Sequence, residues 1–236
     1  MGKVEQVQSA SPTFSVILPV YNQSQDIERI IKEYPEKLDK LNIPWELIFI
    51  VNGSKDDSYV KLSYYIKAFP NVHVYNLDIP GWGHSVKFGI SKSTGQYICY
   101  TNSARTDIED LILIMKYALI NENIVIKANR IIRDSFIRKL GSTIYNLEFR
   151  LLFRIPVWDV NATPKVISAK IIREFDLQED SDLIDAELIV KCMKMNKHFI
   201  EVPVVNTKRF HGRSTTNVIS AIRMYFGLFL LKKNIC

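Results

Sequence analysis

The stretch Phe14-Ser15-Val16-Ile17-Leu18-Pro19 decides the fold class. It is a short, β-branched apolar run that ends in a polar turn at residues 21–24, and such a run is typical of a strand that is buried on both faces. A helix is predicted to follow, with Ser24 as its N-cap and with Pro35 kinking or splitting it. Apolar residues keep helical spacing along it at Ile27, Ile30, Ile31, Tyr34, Leu38 and Leu41.

The same alternation of strand and helix continues through the first half of the chain. It predicts a single Rossmann-like α/β domain with a mostly parallel sheet flanked by helices. Ligands bind such sheets beyond the carboxyl ends of the strands, so the turns at Tyr21, Asn52 and Asn102 are expected to converge on one cleft. Strands are predicted at residues 45–51, 72–77, 96–100 and 124–128, helices at residues 59–69, 85–91 and 108–120, and a loop at Gly81-Trp82-Gly83.

The second half is less regular, and we interpret it as completing the site that the first half begins. A helix is predicted at residues 183–195 and a strand at residues 200–205. Residues 157–165 are rich in turn formers and are predicted to form a loop, and residues 208–217 a basic polar loop. A helical-looking stretch carries the arginines Arg130, Arg133, Arg138, Arg150 and Arg154.

Three segments are predicted along the chain: a disordered leader over residues 1–12, the α/β domain over residues 13–216, and a C-terminal apolar helix over residues 217–236. The leader is polar and lacks the apolar region of a signal peptide. Residues 218–231 are almost wholly apolar, but they are too few to span a bilayer and are interrupted by Arg223. Three placements stay open for this helix: the membrane surface, a second subunit of a homo-oligomer, or the domain itself.

The chain of 236 residues carries a formal net charge of +6. A modest basic excess suits ligands that bear phosphate, an anionic membrane surface or nucleic acid. Because no dense run of Lys and Arg has interleaved aromatic residues, nucleic-acid binding is not expected. Cys99, Cys192 and Cys236 lie far apart, which argues against a zinc site and a disulfide framework and fits a reducing cytoplasm.

Seven short motifs follow one another along the chain: VILPVYN at residues 16–22, Asn52-Gly53-Ser54, residues 81–89, residues 96–110, residues 159–165, residues 185–188 and residues 209–214. Taken in order, they resemble the motifs of family-2 glycosyltransferases, and the later ones are similar to those of dolichol- and polyprenol-phosphate sugar transferases. The resemblance implies a GT-A fold, a nucleotide sugar linked to UDP or GDP as donor, and inversion of the anomeric carbon. It also implies a polyprenyl phosphate acceptor at the cytoplasmic face of the membrane, as in the synthesis of cell-envelope glycans.

The sequence departs from this family at the acidic positions that hold a divalent cation. The first acidic pair of the family is Val51-Asn52 here, its Asp-x-Asp motif is Asn102-Ser103-Ala104, and a further ligand position is Thr106. A Mg²⁺ site normally uses one or two carboxylates. A site for Mg²⁺ or Mn²⁺ is therefore not expected at Asn102, Ala104 and Thr106.

Without a metal, cations must stabilise the charge of the leaving diphosphate. Arg105 lies in the loop that lacks the carboxylates, and arginine binds phosphate bidentately. We hypothesise that Arg105, with Lys87 or Arg213, replaces the metal. The alternative is that Arg105 is an exposed residue beside an inactive site.

The resemblance also assigns a role to one carboxylate. Asp185 occupies the position of a general base, but a phosphate acceptor needs none, because a second pKa of about 6 leaves it ionised. Asp185 would then position other groups, or simply be an acid at a helix N-terminus. Two further residues are candidates by their type and place in the chain: Asp159 would orient basic groups or the sugar, or cap its turn, and Trp82 is a stacking or lid residue, or a loop aromatic.

The remaining candidates form two sets, and Asn52 in the first can both donate to and accept from a base edge. The nucleotide-sugar set is Pro19, Tyr21, Asn52, Ser54, Lys87, Asn102 and Ala104. The acceptor or phosphate set is Arg130, Arg133, Lys165, Arg209, His211 and Arg213. Two other functions stay open: a catalytically silent nucleotide-sugar-binding or regulatory partner protein, and a metal-independent transferase that uses a soluble acceptor.

Overall fold

A sheet of seven strands in the order β3-β2-β1-β4-β6-β5-β7 runs through the described part of the protein. The computed structural model describes residues 12–132, 136–205 and 218–235, without the side chains of 137, 138 and 218–222. Every pairing is parallel except those of β6, which runs antiparallel to β4 and to β5. The strands are β1 (Phe14–Val20), β2 (Trp45–Asn52), β3 (Val72–Leu77), β4 (Tyr97–Tyr100), β5 (Ile124–Ile132), β6 (Lys165–Ser168) and β7 (His198–Val205).

Helices cover both faces of this sheet, so the predicted mostly parallel α/β architecture is confirmed. One apolar core lies under α1, α2 and α4, and the other lies under α3, α5, α6, α7 and α8. The helices are α1 (Ile27–Asp39), α2 (Ser58–Tyr65), α3 (Trp82–Lys92), α4 (Ile108–Ile120), α5 (Phe136–Phe153), α6 (Ala169–Glu174), α7 (Ile184–Lys194) and α8 (Val218–Ile235), and a 3₁₀ turn at Ile66–Ala68 follows α2.

The strand that decides the fold, β1, is buried over all seven residues. Val16 and Leu18 face one core and Ile17 faces the other, which explains why the run is apolar rather than alternating. Each such side chain contributes about 1.5–3 kcal/mol by leaving water. Helix α3 lies so close to this strand that a Cβ on Gly89 would be 2.4 Å from Ile17 Cγ2.

The structure corrects three predictions in the first half. Helix α1 continues through Pro35 and begins after Asp26 rather than at Ser24. Its inner face is buried along its length, and this burial outweighs the cost of about 3 kcal/mol for an internal proline. Helix α3 already begins at Trp82, so Trp82 and Gly83 are helical and not part of a loop.

The second half differs more from its prediction. Arg130 lies on β5, which continues to Ile132, and not on a helix. Lys165 is the first residue of β6 rather than the end of a loop, because residues 165–168 are too short a run to show a strand period. Helix α6 was also not predicted. Residues 1–11, Arg133 and residues 206–217 lie outside the described residues, so predictions that fall there stay predictions.

The C-terminal apolar segment forms α8, and part of it packs on the domain. Leu228 and Leu231 are buried in the core that also contains α7, whereas Phe226 and Phe229 are exposed. None of the helices in the described ranges combines the length and the hydropathy that crossing a bilayer requires.

Candidate functional site

The turns that follow β1, β2 and β4 are joined by hydrogen bonds. The backbone N–H of Asn22 donates to Ser54 Oγ at 3.0 Å, and the backbone N–H of Lys55 donates to Asn22 Oδ1 at 2.8 Å. Ser103 Oγ donates to Gln23 Oε1 at 3.0 Å. These five residues form what we call the turn junction. Since it lies at the carboxyl ends of parallel strands, the predicted convergence of the three turns is confirmed.

Asn52, the last residue of β2, is buried beside the turn junction with one polar atom unsatisfied. Its Nδ2 donates to Ser85 Oγ and, at 3.4 Å, to the carbonyl oxygen of Gly81. Its Oδ1 is buried and has no hydrogen-bond partner among the residues that the structure describes. A buried acceptor that is left unpaired costs about 1–3 kcal/mol. The amide oxygen is therefore suited to accept an N–H from a ligand.

The side chains at the family's metal position do not fit a divalent cation. Asn102 Oδ1 accepts the backbone N–H of Ala104 at 3.1 Å, and the hydroxyls of Thr101 and Thr106 are hydrogen-bonded to each other at 2.6 Å. Ala104 is fully buried and offers no side-chain oxygen. In the described ranges, moreover, His, Cys, Asp and Glu side chains do not gather in threes in a way that would hold a metal.

Two of the cations that were hypothesised to replace the metal, Arg105 and Lys87, lie in the described part of the chain and on different elements. Arg105 is half-buried in the turn after β4, where its backbone N–H donates to the Asn102 carbonyl at 3.0 Å. Lys87, on α3, has its Nζ 2.7 Å from Asp180 Oδ1 and donates to the carbonyl of Gln178 at 2.7 Å. The structure thus places Lys87 against the loop that precedes α7, and Arg105 in the turn that lacks the carboxylates.

Asp185 is a buried carboxylate that four elements share. Its Oδ1 accepts the Tyr100 hydroxyl at 2.9 Å and forms an ion pair with the Nζ of Lys165. Its Oδ2 accepts the Trp82 indole N–H at 3.2 Å. The carboxylate therefore ties the start of α3, the end of β4, the start of β6 and α7 together. Two predicted site residues, Asp185 and Lys165, are brought into direct contact.

Burial sets the protonation equilibria around Asp185. It lowers the pKa of the Lys165 ammonium to about 8, although the attraction of Asp185 opposes this shift. Burial, followed by the negative charge of Asp185, raises the pKa of the Tyr100 hydroxyl well above its usual value. Because three donors hold the Asp185 carboxylate, its geometry suits a group that positions its neighbours. Its role as a general base stays a prediction.

A second buried network fixes the loop of Asp159. Lys127 is fully buried on β5, and its Nζ donates to Glu201 Oε1 at 2.8 Å and to the Asp159 carbonyl at 2.6 Å. The Asp159 carboxylate receives both Nε and Nη2 of Arg130 at 2.8 Å. Burial lowers the pKa of Lys127. The Asp159 carboxylate thus holds the Arg130 guanidinium, and the role of Asp159 in the site stays a prediction.

Two residues of these buried networks were not predicted from the sequence. Lys127 stood inside a predicted apolar strand, and a lysine in such a run is a signal that a buried carboxylate must exist elsewhere. Tyr100 ended a predicted strand, and its buried hydroxyl needed a partner. Of the other candidates, Pro19 is buried in β1 and Tyr21 is half-buried just after it. The candidates outside the described residues are Arg133, Arg209, His211 and Arg213.

Comparison with known proteins gives one family and several distant relatives. A sequence profile described as Glycosyl transferase family 2 matches residues 15–172. The chain is 23% identical over 221 residues to undecaprenyl-phosphate 4-deoxy-4-formamido-L-arabinose transferase of Pectobacterium atrosepticum, covering 91% of this chain but only 65% of that protein. It is 25% identical over 115 residues to dolichyl-phosphate beta-glucosyltransferase of Trichomonas vaginalis, which covers 45% of this chain and 35% of the relative.

Among solved structures, glucosyl-3-phosphoglycerate synthase of Mycobacterium tuberculosis superposes with a TM-score of 0.74 at 17% identity. The match covers 95% of this chain and 81% of that one. That structure was solved in complex with Mn²⁺, UDP and glucosyl-3-phosphoglycerate. The similarity confirms the fold.

Proposed function

Because this chain belongs to glycosyl transferase family 2, matched over residues 15–172, we propose that it moves a sugar from a nucleotide-sugar donor to a polyprenyl phosphate with inversion. One structural observation supports the proposal most strongly: the turn junction and the Asp185 carboxylate both lie at the carboxyl edge of the sheet, where α/β proteins bind nucleotides. The names of the relatives that use undecaprenyl and dolichyl phosphate support the choice of acceptor.

The base of the donor is proposed to meet Asn52. Its Oδ1 is buried without a partner from the described part of the chain, while its Nδ2 donates to Ser85 and Gly81, so the residue presents an acceptor. The N–H groups of a uracil or guanine ring are donors of the matching kind. We therefore propose a UDP- or GDP-linked sugar, with Tyr21 and Ser54 beside the nucleoside.

The transfer forms a bond between the anomeric carbon and an oxygen of the acceptor phosphate, and it breaks the bond from that carbon to the diphosphate. A phosphate nucleophile with a second pKa of about 6 is already ionised at pH 7 and needs no base. Asp185 is then proposed to position Tyr100 and Trp82 rather than to remove a proton. Arg130, held by Asp159, is proposed to bind the acceptor phosphate.

Charge develops on the departing nucleoside diphosphate, and Arg105 is proposed to stabilise it. The position of Arg105 in the turn that lacks the family's carboxylates supports this proposal. Lys87, whose ammonium forms an ion pair with Asp180, is the second candidate cation.

The proposal is tested by incubating the chain with radiolabelled UDP- or GDP-sugars and a short-chain polyprenyl phosphate, in excess chelator and with added Mn²⁺. We expect transfer in chelator, and loss of that transfer in Arg105→Gln, while Lys87→Gln keeps most of it. Strict dependence on Mn²⁺ would contradict the cation proposal. Absence of transfer under both conditions would contradict the proposed transferase activity.

The second candidate function is that of a catalytically silent nucleotide-sugar-binding protein. The turn after β4 favours it as well, because such a protein can keep the fold while lacking the carboxylates that bind a metal. A thermal-shift screen with nucleotide sugars separates the two functions. Ligand at about 100 times its Kd stabilises the folded state by about 2.7 kcal/mol. A shift in Tm without hydrolysis or transfer would support the silent protein.

A further inference from the structure

Helix α5 exposes an apolar stripe on the side that faces away from the sheet. Its members are spaced by three or four residues, which places them on one face of the helix. The opposite face is buried and includes Tyr145 and Phe149. The exposed members are Phe136, Leu140, Ile144, Leu147 and Leu151, the last of which is 72% exposed.

Helix α8 continues this apolar surface. Phe226, Phe229 and Leu230 are exposed, while Leu228 and Leu231 are buried beneath them. The two helices are fastened together, since the Tyr225 hydroxyl donates to the Gly141 carbonyl at 2.7 Å. A shallow groove of about 330 Å³ between the helices is lined by Ile144, Leu147, Glu148, Leu151, Leu152 and Phe229. We call this combined surface the α5–α8 face.

The side chains around the α5–α8 face are mostly cationic. Glu148 is the one acid among the described side chains of the two helices, and burial raises its pKa. Trp158 extends the face, being 66% exposed with the Arg150 guanidinium 5.2 Å from its ring centroid. The described cations on the two helices, together with the residue that directly follows α5, are Lys139, Arg150, Arg154, Arg223, Lys232 and Lys233.

We infer that the α5–α8 face docks on the surface of a bilayer that contains anionic phospholipids. Exposed apolar patches of this kind mark interaction surfaces, and a tryptophan with surrounding lysines and arginines matches the headgroup region of such a bilayer. A second copy of the chain is the less suitable occupant. A two-fold contact would set the same surface against itself and so bring like charges together.

Docking of the α5–α8 face on a bilayer would bring the proposed acceptor close to the site, and this consequence rests on the proposed function. The inner side of α5 contacts the loop of Asp159, because Asn146 Oδ1 accepts the backbone N–H of Val160 at 3.1 Å. Val160 is adjacent to Asp159, which holds Arg130. A bilayer on the outer side of α5 would therefore lie one helix away from the residues proposed to bind a lipid-linked phosphate.

The test is flotation of the full chain with phosphatidylcholine vesicles that either contain or lack phosphatidylglycerol. We expect binding only to the anionic vesicles, and binding that weakens when NaCl is raised from about 0.1 M to about 1 M, because the Debye length falls from about 10 Å to about 3 Å. The double variant Leu147→Glu/Leu151→Glu and the single variant Phe229→Glu should each bind about tenfold or more weakly, since charge replaces apolar contact.

The matched control is Ile120→Glu, which changes an exposed isoleucine at the end of α4 on the other side of the sheet. It should bind vesicles as the unaltered chain does. Circular dichroism checks that each variant is folded, and Lys232→Glu/Lys233→Glu tests the charge separately from the apolar contact. The inference is overturned if anionic vesicles are not bound, or if sedimentation shows a dimer that the Leu147, Leu151 and Phe229 variants dissociate.

Transfer to a water-soluble short-chain acceptor separates this inference from the proposed function. The docking variants should keep that transfer, because their substitutions lie on the outer face. Flotation without any transfer would reject the proposed function and leave the docking surface standing. Transfer without flotation would reject the docking surface alone.

Discussion

The two halves of the carboxyl edge hold their polar groups in opposite ways. At the turn junction the contacts are neutral, between hydroxyls, amides and backbone N–H groups. Around β5, β6 and β7 they are buried ion pairs, Lys165 with Asp185 and Lys127 with Glu201. Neutral groups exchange water for a ligand at small cost, whereas a buried charge must be satisfied by the protein itself. The turn junction is thus suited to recognition, and the ion pairs to rigidity.

The largest effect on stability is expected when one member of a buried ion pair is removed. Lys127→Met leaves the Glu201 carboxylate without its ammonium, and we expect a loss of about 3–5 kcal/mol in the free energy of unfolding. Urea denaturation measures this loss. The exposed Lys116→Met on α4 should change stability by no more than about 0.5 kcal/mol. Equal effects of the two substitutions would show that the Lys127 pair is unimportant.

Substitutions at or beside the turn junction, where the contacts are neutral, are expected to change ligand affinity rather than stability. Asn52→Leu removes the unpaired amide oxygen, and we expect nucleotide-sugar binding to weaken by about 1–3 kcal/mol, the usual cost of a lost hydrogen bond in a buried site. Isothermal titration calorimetry measures the change. Asn76→Leu, at an exposed position on β3, serves as the control. Unchanged affinity in Asn52→Leu would remove Asn52 from the site.

Changing the pH should sharpen the comparison, because the half with the ion pairs contains Lys165, whose pKa lies closer to neutrality than that of an ordinary lysine. The pKa of Lys165 is lowered from 10.5 to about 8, so the unfolded chain binds this proton more tightly than the folded chain does. The contribution of Lys165 to stability therefore rises with pH between about 8 and 10.5. Activity should fall by about tenfold per pH unit above the pKa, as the ion pair with Asp185 is lost.

Two measurements check this pH prediction. A pH–rate profile gives the fall in activity, and urea denaturation across the same range gives the rise in stability. Lys165→Met should lose both trends because it cannot titrate. The prediction is wrong if that variant keeps the same alkaline decline.

The smallest effect is expected where only a hydroxyl is removed. Tyr100→Phe deletes one of the three donors to Asp185, and we expect a loss of about 1 kcal/mol in stability together with a few-fold lower kcat. Steady-state kinetics should show the change in kcat with KM nearly unchanged, since Tyr100 is one of the side chains that Asp185 is proposed to position and is not among those proposed to bind the donor. A change confined to KM would argue for direct contact with a ligand.

The sequence predicted the parallel half of the sheet well, because β1, β2 and β3 carry strong local signals. The convergence of Tyr21, Asn52 and Asn102 followed from topology alone. Lys127 with Glu201, and Asp185 with Tyr100, are pairs whose members lie far apart along the chain, and no local pattern reports such a partner. Strand β6 was not predicted for a different reason, since four residues between two turns are too few to show a strand period. Arg130 was predicted to lie on a helix because the end of β5 also lacks a clear local pattern.

The reversed direction of β6 has a consequence for the cost of binding. A parallel strand brings its last residue to the carboxyl edge and passes into a loop, whereas β6 brings its first residue, Lys165, already fixed in the sheet. A free lysine has about 2 kcal/mol of rotamer entropy to lose when it is ordered. Here that entropy is lost during folding, so the orientation of Asp185 is set before any ligand arrives. Preorganisation of this kind lets binding energy be used for the reacting groups.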